Sequence, residues 1–117
     1  MKHWGTLSLI ALILAVLACG SEVPTPSQYV VTYRITGDIA RASLTYETTE
    51  GTEQRTVNVP WEMKFTAEWG QFLYLSAQNE EDHGTITAEI LLDEKEWKKA
   101  TSDGAYAIAS VSGSAGE

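Results

Sequence analysis

The chain has 117 residues and a mass of 12.8 kDa, which leaves room for one domain and excludes two catalytic domains with a cleft between them. Hydrophobic residues make up 44% and charged residues 21%, too apolar a mixture for disorder over the whole length. Eight Lys and Arg against sixteen Asp and Glu leave a net charge of −8, which argues against a nucleic-acid partner, and the single Cys rules out an intramolecular disulfide or a multi-Cys zinc site.

Lys2 and His3 precede the apolar run from Leu7 to Ala18, and Cys19-Gly20-Ser21 closes it. A short basic head, about a dozen apolar residues and small residues at a cleavage point are the parts of a secretory signal. At ~1.5 Å per helical residue the run falls short of the ~30 Å hydrocarbon core, so residues 1–18 are read as a signal helix and not as a permanent span. Val16-Leu17-Ala18-Cys19 looks like a bacterial lipobox, in which Cys19 is acylated on sulfur and becomes the mature N-terminus. Several acyl chains at ~0.8 kcal/mol per buried CH₂ hold a protein stably on a membrane. The expected location is the extracytoplasmic face of the bacterial cell membrane. Removal of residues 1–18 leaves 99 residues and takes Lys2 away, so seven basic residues face sixteen acidic ones, a balance of −9. Attraction to an anionic bilayer is thereby excluded as the anchor.

Residues 19–28, containing Gly20-Ser-Glu-Val-Pro-Thr-Pro-Ser-Gln28, carry no apolar period and read as a flexible tether. From Tyr29 the pattern alternates. Tyr29, Val31, Tyr33 and Ile35 share one face of a first strand that ends at Gly37-Asp38, and Ala42, Leu44 and Tyr46 share one face of a second. A short strand from Arg55 to Val59 is stopped by Pro60, and Met63, Phe65 and Ala67 mark a fourth that turns at Trp69-Gly70. Gln71 to Ala77 has Phe72, Leu73, Tyr74 and Leu75 on both faces and reads as a central strand. After the polar loop Asn79 to Gly84, Ile86, Ala88, Ile90 and Leu92 alternate through Thr85 to Leu92. Trp97 to Thr101 and Ala105 to Val111 flank Ser102-Asp-Gly104, where Asp-Gly is a hairpin cue. About eight short strands with regular turn cues predict an all-β antiparallel sandwich over residues 29–112, with residues 113–117 as a disordered tail.

The mature chain is poor in chemistry. His83 is its one histidine and lies beside Gly84 in an acidic loop, the setting of a solvated residue and not of a triad base. Glu80, Glu81 and Asp82 lack the alternating spacing of a calcium loop, and no pair of carboxylates is singled out for glycoside hydrolysis. No catalytic residue, metal or cofactor is expected. Trp61, Trp69 and Trp97 are first of all core or end-plug residues, and two of them exposed on one face would make a platform for sugar rings or a protein hot spot.

The run Val31-Thr-Tyr-Arg-Ile-Thr-Gly37, with Ala42-Ser-Leu-Thr-Tyr46, Val59-Pro-Trp-Glu62, Phe65, Leu75-Ser-Ala-Gln78 and the strand after Gly84, resembles the extracytoplasmic domain of the mycobacterial small membrane protein family. Those proteins are transport accessory partners of large lipid and siderophore exporters. The resemblance spans residues 29–111 and implies an immunoglobulin-like β-sandwich without enzymatic activity, with an integral membrane transporter as partner. Two features depart from the family: its members usually enter the membrane through a retained N-terminal helix, whereas this chain reads as lipidated at Cys19, and many carry a cysteine pair in the last strands, where Thr85 to Val111 has none. The expected function is a non-catalytic, membrane-anchored interaction domain. The competing expectation is a small carbohydrate or cell-envelope binding lipoprotein, and a hydrolase is the least favoured class.

Overall fold

The computed structural model describes residues 26–117, and all of them that are regular are strand: β1 (Gln28–Gly37), β2 (Arg41–Thr48), β3 (Gly51–Asn58), β4 (Trp61–Glu68), β5 (Phe72–Asn79), β6 (Thr85–Leu92), β7 (Lys95–Asp103) and β8 (Ile108–Ser114). The signal, Cys19 and residues 19–25 of the tether lie outside the described residues. The strands form two four-stranded antiparallel sheets, β4-β1-β6-β7 (sheet A) and β3-β2-β5-β8 (sheet B). The alternation that predicted each strand is what the packing uses. Val31, Tyr33 and Ile35 from β1, Leu44 and Tyr46 from β2, Leu73 and Leu75 from β5, and Ile86 and Ile90 from β6 are essentially inaccessible and meet between the sheets.

The connectivity differs from the immunoglobulin-like one. An immunoglobulin domain places its first two strands in one sheet, whereas here β1 and β2 belong to opposite sheets. The chain instead makes two nested double hairpins. In residues 28–68 the β2–β3 hairpin lies in sheet B and the enclosing β1·β4 pair in sheet A. In residues 72–114 the β6–β7 hairpin lies in sheet A and the enclosing β5·β8 pair in sheet B. The two halves are joined by the β1·β6 and β2·β5 ladders, giving a pseudo-two-fold, jelly-roll-like layout of eight strands.

Other expectations are corrected in detail. Asp103-Gly104 is not a hairpin turn, because β7 pairs with β6 and β8 with β5, so residues 104–107 cross between sheets. The tight turn is instead Asp93-Glu94, where both residues have positive φ (51° and 68°), as a two-residue type I′ hairpin requires. β3 starts at Gly51 and not at Arg55, since an exposed edge strand has no buried face to reveal it; its inward positions Glu53 and Arg55 are charged, a device that discourages edge-to-edge pairing. The expected frayed tail is ordered as well. Gly113 and Ser114 belong to β8, and Ala115 is fully buried, its N–H donating to Gln71 O and its carbonyl accepting from Gly70 N, both at 2.8 Å.

The two long edges of the sandwich close differently. β7 and β8 approach closely, because Trp97 lies against Gly113, where a Cβ would sit 2.7 Å from the indole. β3 and β4 stand apart, and the half-buried Trp61, Met63 and Phe65 fill the gap against the core. The loops 38–40, 59–60, 80–84 and 104–107 gather at one end. The chain enters β1 and leaves β8 at the other, so anything attached through the N-terminus is remote from those four loops.

Candidate functional site

The three tryptophans nominated from the sequence do not form a platform. Trp61 is half-buried on edge strand β4, its ring 5.6 Å from that of Tyr46 at an angle of 43°. It lines a shallow pocket of about 330 Å³ with Arg34, Thr36, Pro60 and Glu62. The guanidinium there is already engaged: Arg34 Nε donates to Glu62 at 2.9 Å, Nη1 lies 3.5 Å from Glu89, and the Glu62 hydrogen bond pushes the arginine further above its ordinary range. Trp69, half exposed, sits in the β4–β5 turn at the chain-entry end over Gly116. Trp97 is on the opposite edge, with Lys98 Nζ 5.0 Å from its ring centre. One ring thus lies on each long edge and one at an end, and no flat ligand spans any two of them.

The acidic loop is organised by a buried amide. Asn79 has no solvent exposure; its Nδ2 donates to the carbonyls of His83 (2.7 Å) and Gly104 (3.3 Å), and its Oδ1 accepts from Glu81 N (2.8 Å). The carboxylates then diverge. Glu80 accepts from the Ser43 hydroxyl at 2.6 Å, Glu81 accepts from Ala40 N at 2.5 Å, and Asp82 meets His83 Nδ1 at 2.9 Å. Among the described residues no group of three or more His, Cys, Asp or Glu side chains converges as a metal site would require.

His83 is solvent-exposed, and its ring nitrogens face Asp82 and Glu81, the latter at 3.6 Å. The hydrogen bond to Asp82, followed by the charge of Glu81, raises its pKa above the ordinary 6.5, and the same hydrogen bond, with the charge of the imidazolium, lowers that of Asp82. Because the folded-state value is the higher one, the imidazolium's contribution to stability is present in mild acid and is lost as pH rises through the folded pKa. Proton NMR of the His83 ring should give a midpoint above 6.5, and Asp82→Asn should move it down toward that value. An unmoved midpoint would show that the pair is not formed in solution.

The outer face of sheet B presents a different surface. Outward positions pair across the four strands in rows: Thr56, Ser43, Gln78 and Ile108; then Gln54, Thr45, Ser76 and Ser110; then Thr52, Glu47, Tyr74 and Ser112; and finally Phe72 and Ser114. Over β2 and β3 the face has a concavity of about 390 Å³ lined by Ser43, Leu44, Thr45, Gln54, Arg55 and Thr56. On β5, Phe72 and Tyr74 lie nearly parallel, with centroids 6.4 Å apart and planes at 16°, and Phe72 is 52% exposed. The hydroxyls of Ser76 and Ser110 are 2.8 Å apart between these features.

Neither aromatic was singled out from the sequence, because Phe72-Leu73-Tyr74-Leu75 reads as a strand buried on both faces. The signal that separates the faces is the continuation Ser76 and Gln78 on the aromatic side against Ala77 and Asn79 on the other. No family model matches this chain, and no curated protein matches its sequence.

Proposed function

We propose that the protein is a non-catalytic interaction domain held by a lipid on Cys19 at the extracytoplasmic face of a bacterial cell membrane. The observation that carries the reading is the position of chain entry. Eight residues separate Cys19 from Gln28, a tether whose nine steps reach at most ~32 Å, and β1 begins at the end of the sandwich opposite the four gathered loops. A domain so hung carries the 38–40, 59–60, 80–84 and 104–107 loops at the end farthest from its point of attachment. Confinement to the membrane plane raises the effective concentration of a partner in the same membrane, so a modest interface suffices. The sequence resemblance nominates a polytopic exporter as that partner. The nomination rests on sequence alone, because the strand order is not the immunoglobulin one.

Cys19→Ser should move the protein from the membrane pellet to the soluble fraction and abolish incorporation of labelled fatty acid. A variant that remains in the pellet refutes the lipid anchor. Cross-linking in intact membranes followed by detergent extraction should then recover a polytopic protein, and recovery of this chain alone speaks against a transporter partner. The second reading, a cell-envelope carbohydrate-binding lipoprotein, is favoured by the near-parallel Phe72 and Tyr74 rings on an open sheet face.

A further inference from the structure

We propose that the outer face of sheet B binds a neutral glycan, with Phe72 and Tyr74 as the stacking platform and Thr45, Gln54 and Thr56 as the hydrogen-bonding floor. The inference rests on the reading of the domain as an extracytoplasmic binding module and gives that module a site and a ligand class.

A sugar ring offers an apolar face of C–H groups and a rim of hydroxyls that both donate and accept. Recognition therefore calls for an exposed aromatic plane beside side chains that also do both, which are hydroxyls and amides. Sheet B brings these together by register alone. Thr45 stands opposite Ser76, which makes Tyr74 its diagonal neighbour on the same face, at ~7–8 Å. A ring stacked on Tyr74 accordingly has its neighbour in the chain over the concavity. From Phe72 to Gln78 the outward side of β5 runs roughly 20 Å, enough for a short oligosaccharide and not only a monosaccharide.

Charge selects the class of glycan. In the rows that run from Ser43 to Phe72 the only charged outward side chain is Glu47, whose carboxylate already accepts from the Thr52 hydroxyl. Beside Ser43 the exposed Arg41 continues the outward side of β2, and the Glu80 carboxylate accepts from the Ser43 hydroxyl. Arg55 borders the concavity, but it stands opposite the inward Leu44, so its guanidinium belongs to the other face. On a chain of net charge −8, the Arg41 guanidinium set against Glu47 and Glu80 does not offset the repulsion of a polyanion, so uronates and phosphate-rich polymers are disfavoured. The same excess of carboxylates over cations, without a broad apolar patch, disfavours an anionic lipid surface as the occupant.

The test is calorimetry on the full-length chain in detergent micelles, with soluble hexasaccharides of β-1,4-linked N-acetylglucosamine and β-1,4-linked glucose, and an oligouronate as the anionic comparator. At least one neutral hexasaccharide should bind with a Kd between micromolar and millimolar. Phe72→Ala and Tyr74→Ala should each weaken it about tenfold, and Gln54→Ala should weaken it severalfold. Phe72→Leu, which keeps apolar bulk without a ring, should weaken binding while leaving the circular dichroism unchanged, and Lys98→Ala on sheet A should leave affinity unchanged. No binding of either neutral hexasaccharide at about 10 mM overturns the proposal. So does binding of the oligouronate alone, or wild-type affinity in both aromatic-to-Ala variants. Membrane fractionation of the same protein reads the anchor separately. An anchored chain that binds no glycan refutes this site alone, and a glycan-binding chain that is never membrane-bound refutes the anchor alone.

Discussion

Asn79→Asp is expected to lower the unfolding free energy by about 3 to 5 kcal/mol at neutral pH, the cost of an uncompensated buried charge. The exchange is nearly isosteric, so packing is not the cause. Asn79 Nδ2 donates to two carbonyls, His83 O and Gly104 O, and an aspartate oxygen in its place would set acceptor against acceptor at 2.7 Å. Water cannot relieve the clash, because the residue has no exposure. Glu80, Glu81 and Asp82 follow it directly in the chain and add like charge. The new carboxyl can recover one donor only by keeping its proton, so its folded-state pKa lies above its unfolded one. Stability then falls as pH rises from the unfolded value through the folded one, and the deficit is small in acid and full at neutrality. Urea unfolding followed by Trp fluorescence at pH 4.5 and pH 7.5 checks this in full: the variant should approach the wild type at the lower pH. A deficit that ignores pH would mean that the amide is not the shared tie between the 80–84 and 104–107 loops.

The sequence reveals this fold where a strand has one buried face and conceals it where it does not. Val31, Tyr33 and Ile35, or Ala42, Leu44 and Tyr46, alternate because one side of each strand meets the other sheet. β3 exposes five consecutive residues, Thr52 to Thr56, and so has no period to read beyond Val57. The tail misled for a related reason. Ser112-Gly-Ser-Ala-Gly116 has linker composition, but small residues are what the closed edge needs: Gly113 admits Trp97, and a Cβ on Gly116 would lie 2.5 Å from Tyr29 Oη and 2.7 Å from the Trp69 ring. Sheet order is invisible to local pattern altogether. Asp103-Gly104 carries the chemistry of a hairpin turn, yet the strands beside it join opposite sheets, because β6 and β5 have already claimed their edges. The candidate site was obscured by the same logic: tryptophan drew attention by size, while the exposed face was defined by the outward partners of Phe72 and Tyr74, which only the strand register supplies.

Tyr33→Phe should cost about 2 to 4 kcal/mol, from two backbone groups left without their partner. Tyr33 belongs to sheet A, but its hydroxyl crosses the core to sheet B, donating to Glu47 O at 2.6 Å and accepting from Tyr74 N at 3.2 Å. Glu47 and Tyr74 are the last pair of the β2·β5 ladder, so the phenol takes over where backbone pairing ends. Burial pushes its pKa far above the ordinary tyrosine value, and the proton stays in place throughout the working range. Phenylalanine retains the edge-to-face contacts with Tyr46 and Phe65, at 6.0 and 5.1 Å, so the measured loss isolates the hydroxyl. That loss is local as well as global. With the carbonyl of Glu47 and the N–H of Tyr74 unpaired, the entry-end corner of sheet B opens more readily, and Tyr74 is the residue that faces outward there. Hydrogen exchange should therefore accelerate at the Tyr74 amide more than at Ala77, deeper in the same ladder. The same variant should weaken binding of a neutral hexasaccharide although Tyr33 itself is inaccessible from the outer face. Equal acceleration along all of β5 would show that the phenol stabilises the sandwich as a whole and does not position the platform.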